Sequence, residues 1–270
     1  MKKYLVFFLL VFLLFLHKNL FFKPSIKNDQ FSTILKEIKN KKYKYAIFDI
    51  SCSFWEKSVN DLLSSYYDKE KKSFSFWKKI SYSCTLAKLG VSFLFGTLDT
   101  KKAFLDFLSY FKGTKEQELK NACRKVWEED CKNYIFVKAK KFFEACKNNG
   151  VVTILTDVCM RELYTGFCKE YSFDYLCTSN IEMRDGCITG NLIGEPCSGK
   201  GKYHLVKDLI KKKFGGSLKD AIFFANSYND ICLLEKVERP VVVNPISRKL
   251  KKIAKKRGWP ILKFKELVKN

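Results

Sequence analysis

The chain has 270 residues, 47% hydrophobic and 29% charged, which suits a domain with a buried core and excludes a disordered polyelectrolyte. Lysine and arginine number 51 against 28 acidic residues, a formal charge of +23 that excludes an acidic solvating protein and favours anionic partners. Only six of the basic residues are arginine, the planar fork that reads bases, so the surplus argues against a nucleic-acid partner and for phosphorylated ligands or an anionic membrane surface.

The N-terminus reads Met-Lys-Lys followed by an apolar run from Tyr4 to Leu16. That run is shorter than the roughly 20 residues of a spanning helix and has the length of a signal-peptide core. No small-x-small cleavage site follows it, so residues 1–23 are expected to form an uncleaved hydrophobic helix, a membrane anchor. Lys23, Lys27, Lys36, Lys39, Lys41, Lys42 and Lys44 after the run outnumber Lys2 and Lys3 before it. The positive-inside bias then places the body of the chain in the cytoplasm, with secretion through a signal peptide as the alternative. Eleven scattered cysteines, an odd number without a C-x-x-C pair, weigh for a reducing compartment. With no C-x-x-C or paired Cys/His spacing and only two histidines, His17 and His204, a zinc site is not expected.

Residues 24–43 read as a basic linker. Tyr45 to Phe48 is a short apolar run ending in Asp49 and reads as a buried strand. From about 55 to 148 the pattern is helical. Thr114-Lys115-Glu116-Gln117 has the form of a capping box. Ile135, Phe136, Ala139, Phe142, Phe143 and Cys146 recur at helical spacing until Gly150. Within this region Ile80 to Leu98 is mostly apolar, either a buried helix pair or a surface that dips into a bilayer. Strands are then expected at 151–156, 174–181, 187–193, 221–225 and 241–243. Helices are expected at about 158–170, after Gly201, at about 229–236 and at 246–257. This alternation predicts an α/β fold with a doubly wound, mostly parallel sheet. The α/β core covers residues 44–58 and 149–270, and a helical cap at 59–148 is inserted after the first strand.

Open parallel sheets bind ligands beyond the carboxyl ends of their strands. Asp49 ends the first strand, Thr156 the second, and Asn226 follows a later one with Asn229 and Asp230 close behind. Lys200 and Lys202 open a helix after a Gly-containing turn. A carboxylate nucleophile, a hydroxyl, a cation and a second polar cluster suit phosphoryl transfer with Mg²⁺. Singly, an Asp at a strand end is more often a cap or turn residue. The case rests on the order and positions together.

Four stretches resemble the haloacid dehalogenase superfamily, in the branch of phosphoserine phosphatase and the phosphatidylglycerophosphate phosphatases. They are Ala46-Ile47-Phe48-Asp49-Ile50-Ser51, Ile154-Leu155-Thr156, Gly186 to Gly190 continuing through Pro196 to Lys202, and Ala225 to Leu234 with its sequel at Val243 to Pro245 and Arg257 to Leu262. The resemblance implies that Asp49 is nucleophile and Mg²⁺ ligand, and that Ser51 offers its backbone carbonyl to the metal. It implies that Thr156 binds the phosphoryl group and that Lys202, with Lys200 as a nearby substitute, pairs phosphate with nucleophile. Asn226 stands where the family has a metal-binding Asp; Asn229 and Asp230 stand where it completes the metal shell or steadies the lysine.

The departures from that pattern are specific. Ser51 replaces the family's second Asp, its general acid/base, and a hydroxyl without an activating base exchanges protons poorly. Cys52 adds a Cβ where the backbone needs a special φ. Asp157 sets a negative charge next to Thr156, a clash with phosphate if it faces the site. Asn226 lowers the charge of the metal shell by one. Two readings follow. One is a membrane-associated, Mg²⁺-dependent phosphatase-like hydrolase of phosphomonoesters, a phospholipid headgroup phosphate among them. The other is a catalytically impaired relative that binds anionic membrane or phosphorylated ligands.

Overall fold

The computed structural model describes residues 29–57 and 100–268. The expected anchor at 1–23 and the apolar stretch Ile80–Leu98 lie outside them, as does most of the first half of the expected cap. Seven strands form one sheet in the order β4-β3-β2-β1-β5-β6-β7. They are β1 (Tyr45–Asp49), β2 (Val152–Met160), β3 (Tyr175–Arg184), β4 (Cys187–Ile193), β5 (Ala221–Ala225), β6 (Arg239–Val243) and β7 (Ile261–Leu262). Every neighbouring pair is parallel except the β3–β4 hairpin. The fold is therefore α/β with a mostly parallel sheet, as expected.

The central strands are apolar throughout because both faces are covered. Successive side chains point to opposite faces, and the core divides accordingly. Ala46, Phe48, Leu155, Ile222, Phe224, Val241 and Val243 enter one apolar cluster. Tyr45, Ile47, Ile154, Phe223 and Val242 enter the other. The first face carries α1 (Asp29–Lys39) and α4 (Val137–Asn148); the second carries α6 (Gly199–Phe214) and α8 (Arg248–Lys256). Phe48 stacks on Phe224 with centroids 4.9 Å apart and meets Phe54, Phe143 and Phe173 edge-on. Phe48→Ala should cost about 3–5 kcal/mol in a denaturant titration, the range for truncating a fully packed aromatic ring.

Several expected boundaries move. Residues 29–39, inside the expected linker, are a helix whose Ile34 and Ile38 are fully buried; Phe31 packs on Phe142 of α4 with centroids 4.7 Å apart. The lysines of this stretch occupy the outer face of an amphipathic helix. β2 continues to Met160, past its expected end at 156. The helix expected at 158–170 shortens to a 3-10 turn, Arg161–Tyr164, and α5 (Thr165–Glu170). The expected capping box does not form: α3 (Glu116–Val126) starts after an extended Lys115, with no side chain capping it.

Before α3 comes α2 (Thr100–Ser109), and the turn between them is sewn to the hairpin. The Gly113 N–H donates to the Ile188 carbonyl (2.8 Å), Ile188 N–H to Thr114 (3.0 Å), and Glu116 N–H to Gly186 (2.9 Å). The segment inserted after β1 thus adds a backbone edge to β4.

The membrane localisation expected from the sequence is corrected. Among the described residues no helix is long and apolar enough to cross a membrane. The longest of them, α6, has 16 residues and carries lysines along its length. The run on which that expectation rested lies outside the described residues.

Candidate active site

Strand register assembles the site. Asp49 pairs in register with Thr156 of β2, and Phe48 with Phe224 of β5. Ala225 therefore flanks Asp49 and Asn226 comes just beyond, so the three strands deliver Asp49, Thr156 and Asn226 to one end of the sheet. After Asp49 the chain turns tightly. Ser53 Oγ donates to the Asp49 carbonyl, and the N–H groups of Phe54 and Trp55 both reach the Ile50 carbonyl at 3.1 Å. Cys52 within this turn has φ 59°, the left-handed region expected from the sequence. For a residue with a Cβ that conformation costs about 1–2 kcal/mol.

Lys202 comes from the first turn of α6. Gly201 precedes it, and a Cβ there would run into the Pro196 carbonyl, so only glycine lets the helix start this close to the loop. The Lys202 ammonium sits 2.8 Å from Asp49 Oδ1 and 2.6 Å from Asp230 Oδ1. Asp230 ends the 3-10 turn Tyr228–Asp230 after β5, and the Ser227 hydroxyl accepts from Asn229 N–H in that turn. Burial pushes the Asp49 carboxyl well above its usual range; Lys202 pulls it down, while Asp230 and Asp157 push it up. Burial works against the charge on Lys202, but Asp230 and Asp49 override it and raise the ammonium well above its usual range. Lys200, the substitute named from the sequence, is exposed, while Lys202 is buried.

Ser51, Asn226 and Asp157 form a second group. The Ser51 carbonyl, expected to face a metal, accepts a hydrogen bond from Asn226 Nδ2 (2.7 Å). Asp157 Oδ2 accepts from the Ser51 hydroxyl (2.8 Å) and the Ser51 N–H (3.2 Å). Asp157 Oδ1 accepts from Cys159 N–H (3.4 Å). Burial raises the Tyr164 phenol well above its usual range, and the neighbouring Asp157 charge adds to the rise. Its hydroxyl has no hydrogen-bond partner within normal distance. Asp157 is thus a member of the site. The sequence weighed it only as a repulsive charge; an Asp inside a strand that runs on to Met160 was the available signal. Cys197 was also missed. Its thiol donates to the Cys177 carbonyl (3.1 Å) and lies 3.2 Å from the Thr156 hydroxyl.

The charge of the site suits a divalent cation. Asp49, Asp157 and Asp230 are 6%, 3% and 2% exposed, and the one buried lysine, Lys202, pairs with Asp49 and Asp230, which leaves a formal charge of −2 if all are ionised. Buried negative charge of this size calls for a counter-ion. Among the described residues no three His, Cys, Asp or Glu side chains form a ready metal cluster. Mg²⁺ does not need one, because it binds through one or two carboxylates and keeps several waters. The donor set, hard oxygens of Asp49 and Asn226, fits that ion.

Residues 63–235 match the family model of the haloacid dehalogenase-like hydrolases. A phosphoserine phosphatase of Mycobacterium tuberculosis is 28% identical over 158 residues, 58% of this chain and 51% of its own. A histidinol-phosphatase of Neisseria meningitidis is 30% identical over 175 residues, 63% of this chain and 78% of its own. The chain spans about half the length of the first curated relatives it matches. In solved structures the fold recurs in a protein of unknown function from Bordetella pertussis, with TM-score 0.71 and 22% identity over 81% of this chain and 97% of that one. It recurs in a phosphoserine phosphatase caught as a phospho-aspartyl intermediate analogue, with TM-score 0.56 and 17% identity over 83% and 94%.

Proposed function

The chain belongs to the haloacid dehalogenase-like hydrolases, and from that premise we propose that it is a Mg²⁺-dependent phosphatase of phosphomonoesters. The observation that supports this reading best is one buried ammonium shared by Asp49 and Asp230 where β1 ends, with Thr156 alongside. Lys202 holds Asp49 Oδ1, which orients Oδ2 as the attacking atom. Asp49 attacks phosphorus, the ester oxygen departs, and water then cleaves the aspartyl phosphate. Lys202 and Thr156 bind the phosphoryl oxygens as charge shifts onto them. Asp230 keeps Lys202 in place. Asp49 and Asn226 hold magnesium, which when bound supplies positive charge against the phosphate.

The relatives named above act on phosphoserine and histidinol phosphate, two esters of small amino alcohols. We take that class as the substrate of this chain. The decisive experiment measures phosphate release by the full chain from phosphoserine, histidinol phosphate and detergent-dispersed phosphatidylglycerophosphate, with MgCl₂ or with EDTA. Release from an amino-alcohol phosphate in MgCl₂ only is expected. No Mg²⁺-dependent release from any of the three would sink the reading and leave the impaired, ligand-binding relative. Release from the lipid alone would move the substrate class to headgroup phosphates.

A further inference from the structure

We propose that the outer face of α8 selects substrates by charge, drawing in phosphomonoesters that carry a second anionic group; the assignment rests on the phosphatase reading above. The helix is pinned by Leu250 and Ala254, both fully buried, and capped by Ser247 Oγ, which accepts from Leu250 N–H (3.1 Å). Every other position except Ile253 is basic, and no acidic residue interrupts them. Packing of the two apolar residues turns Arg248, Lys249, Lys252, Lys255 and Lys256 to solvent. Among the described residues Arg248, Lys249, Lys252 and Lys256 form no ion pair; the pair beside them, Arg257 with Glu235 (2.6 Å), lies past the end of the helix. Lys251 is pushed below the usual lysine range, first by burial and then by the ammonium groups of Lys263 and Lys255. Like charges crowded in this way raise a positive potential over the surface. A charged helix face is most often a solvated surface and nothing more. Position sets this one apart.

β6 runs parallel to β5 with Val242 in register with Ala225, so the chain leaves β6 at the end of the sheet that holds the site. The link from β6 to α8 is tied to the site loop, because Ile246 N–H donates to the Asn226 carbonyl (3.2 Å). Asn244 fixes the other side of the link: its Oδ1 accepts from Phe264 N–H (2.9 Å), and its Nδ2 donates to the Phe264 carbonyl (3.2 Å). The Lys249 ammonium stands 3.9 Å from the centre of the Tyr228 ring. Tyr228 opens the 3-10 turn that carries Asn229 and Asp230. The cationic face thus begins beside the site's own loop and extends over the nine residues of α8, a length of about 13 Å. The screening length is about 30 Å at 0.01 M salt and about 10 Å at 0.1 M, so at low ionic strength the whole face acts on an ester that enters the site. Asp49, Asp157 and Asp230 repel that ester from within, and α8 opposes the repulsion from outside. An ester whose alcohol bears a carboxylate gains from the same field a second time. One whose alcohol bears only an ammonium does not.

The test measures kcat and KM of the full chain in MgCl₂ on phosphoserine and phosphoethanolamine, two esters that differ only by a carboxylate. Wild type at low ionic strength should prefer phosphoserine in kcat/KM by about three- to tenfold. In about 0.5 M NaCl the preference should fall to about twofold or less, because salt screens a field that acts over distance. The variant Arg248→Gln/Lys252→Gln/Lys256→Gln keeps Lys249 on Tyr228 and touches no residue of the site. It should lose the low-salt preference through KM, with kcat unchanged on both esters. A preference that survives either salt or the substitutions would overturn the assignment and leave the phosphatase reading standing. So would the absence of a preference in wild type, or a variant whose loss lies in kcat. Wild type that hydrolyses neither ester would remove both. The salt dependence is read on wild type, so it decides even if the variant does not fold.

Discussion

Asp49→Asn should abolish turnover, by about 10⁴-fold or more, and at the same time make the metal-free protein harder to unfold at neutral pH. The first effect follows from removing the attacking atom, for which no neighbour substitutes. The second follows from the price of burying a charge. The Asp49 carboxyl is raised well above its usual range because burial, aided by Asp230 and Asp157, outweighs the attraction of Lys202. A raised carboxyl binds a proton in the folded state that the unfolded state has already lost, so stability falls as pH rises from the ordinary Asp range up to the folded value. Asparagine keeps the shape and carries no charge, so the variant lacks that fall. Urea midpoints of the two proteins should converge near pH 4 and separate above it, with the variant the more stable. Adding MgCl₂ should raise the midpoint of wild type and narrow the gap, since a ligand of the folded state stabilises it. A variant less stable than wild type at pH 7 without metal would contradict this account of the site.

Lys202→Met should have the opposite effect on stability and an equal one on activity. Lys202 is 4% exposed and stands between Asp49 and Asp230. Methionine fills most of its volume and leaves two buried carboxylates without their cation. Breaking a buried pair in this way costs about 3–5 kcal/mol. The deficit should shrink on acidification, because Asp49, already raised by burial, loses the cation that pulls it down and can be neutralised by a proton. A urea titration at pH 7 and again at pH 5 measures both. A loss that is the same at the two pH values would mean that packing, and not charge, is what Lys202 supplies. Phosphate release should vanish in this variant as in Asp49→Asn, and the two melting curves should move in opposite directions.

Strands covered on both faces are continuous apolar runs, and β1, β5 and β6 were legible for that reason. Where such a run stops at a polar residue, a parallel sheet puts that residue at its ligand-binding edge, which brought Asp49, Thr156 and Asn226 into one argument. The second strand was cut short because Thr156-Asp157 reads as an end. In the structure the strand continues while its pairing with β3 shifts register between Thr156 and Met160. That shift, a tertiary event, is where Asp157 acquires its place. The first helix was hidden by composition: Lys36 and Lys39 gave the stretch the look of a linker. Phe31, Ile34, Leu35 and Ile38 nevertheless stand at helical spacing, and they are the residues packed into the core. The hydrogen bonds of Ser51 had no sequence signal, since its partners come from elsewhere in the chain, Asp157 from β2 and Asn226 from the residue after β5.

The three backbone hydrogen bonds that fasten the α2–α3 turn to β4 bear on how a substrate gets in and out. A cover joined to its base only by two connecting strands swings like a door. Here the described part of the insertion is riveted along a third edge, so that swing would have to shear the rivets one after another. Gly113, Glu116 and Ile188 should therefore exchange their amide hydrogens together and slowly, at a rate that substrate does not change. Traffic through the site then depends on parts of the chain other than this corner, which serves as the fixed jamb.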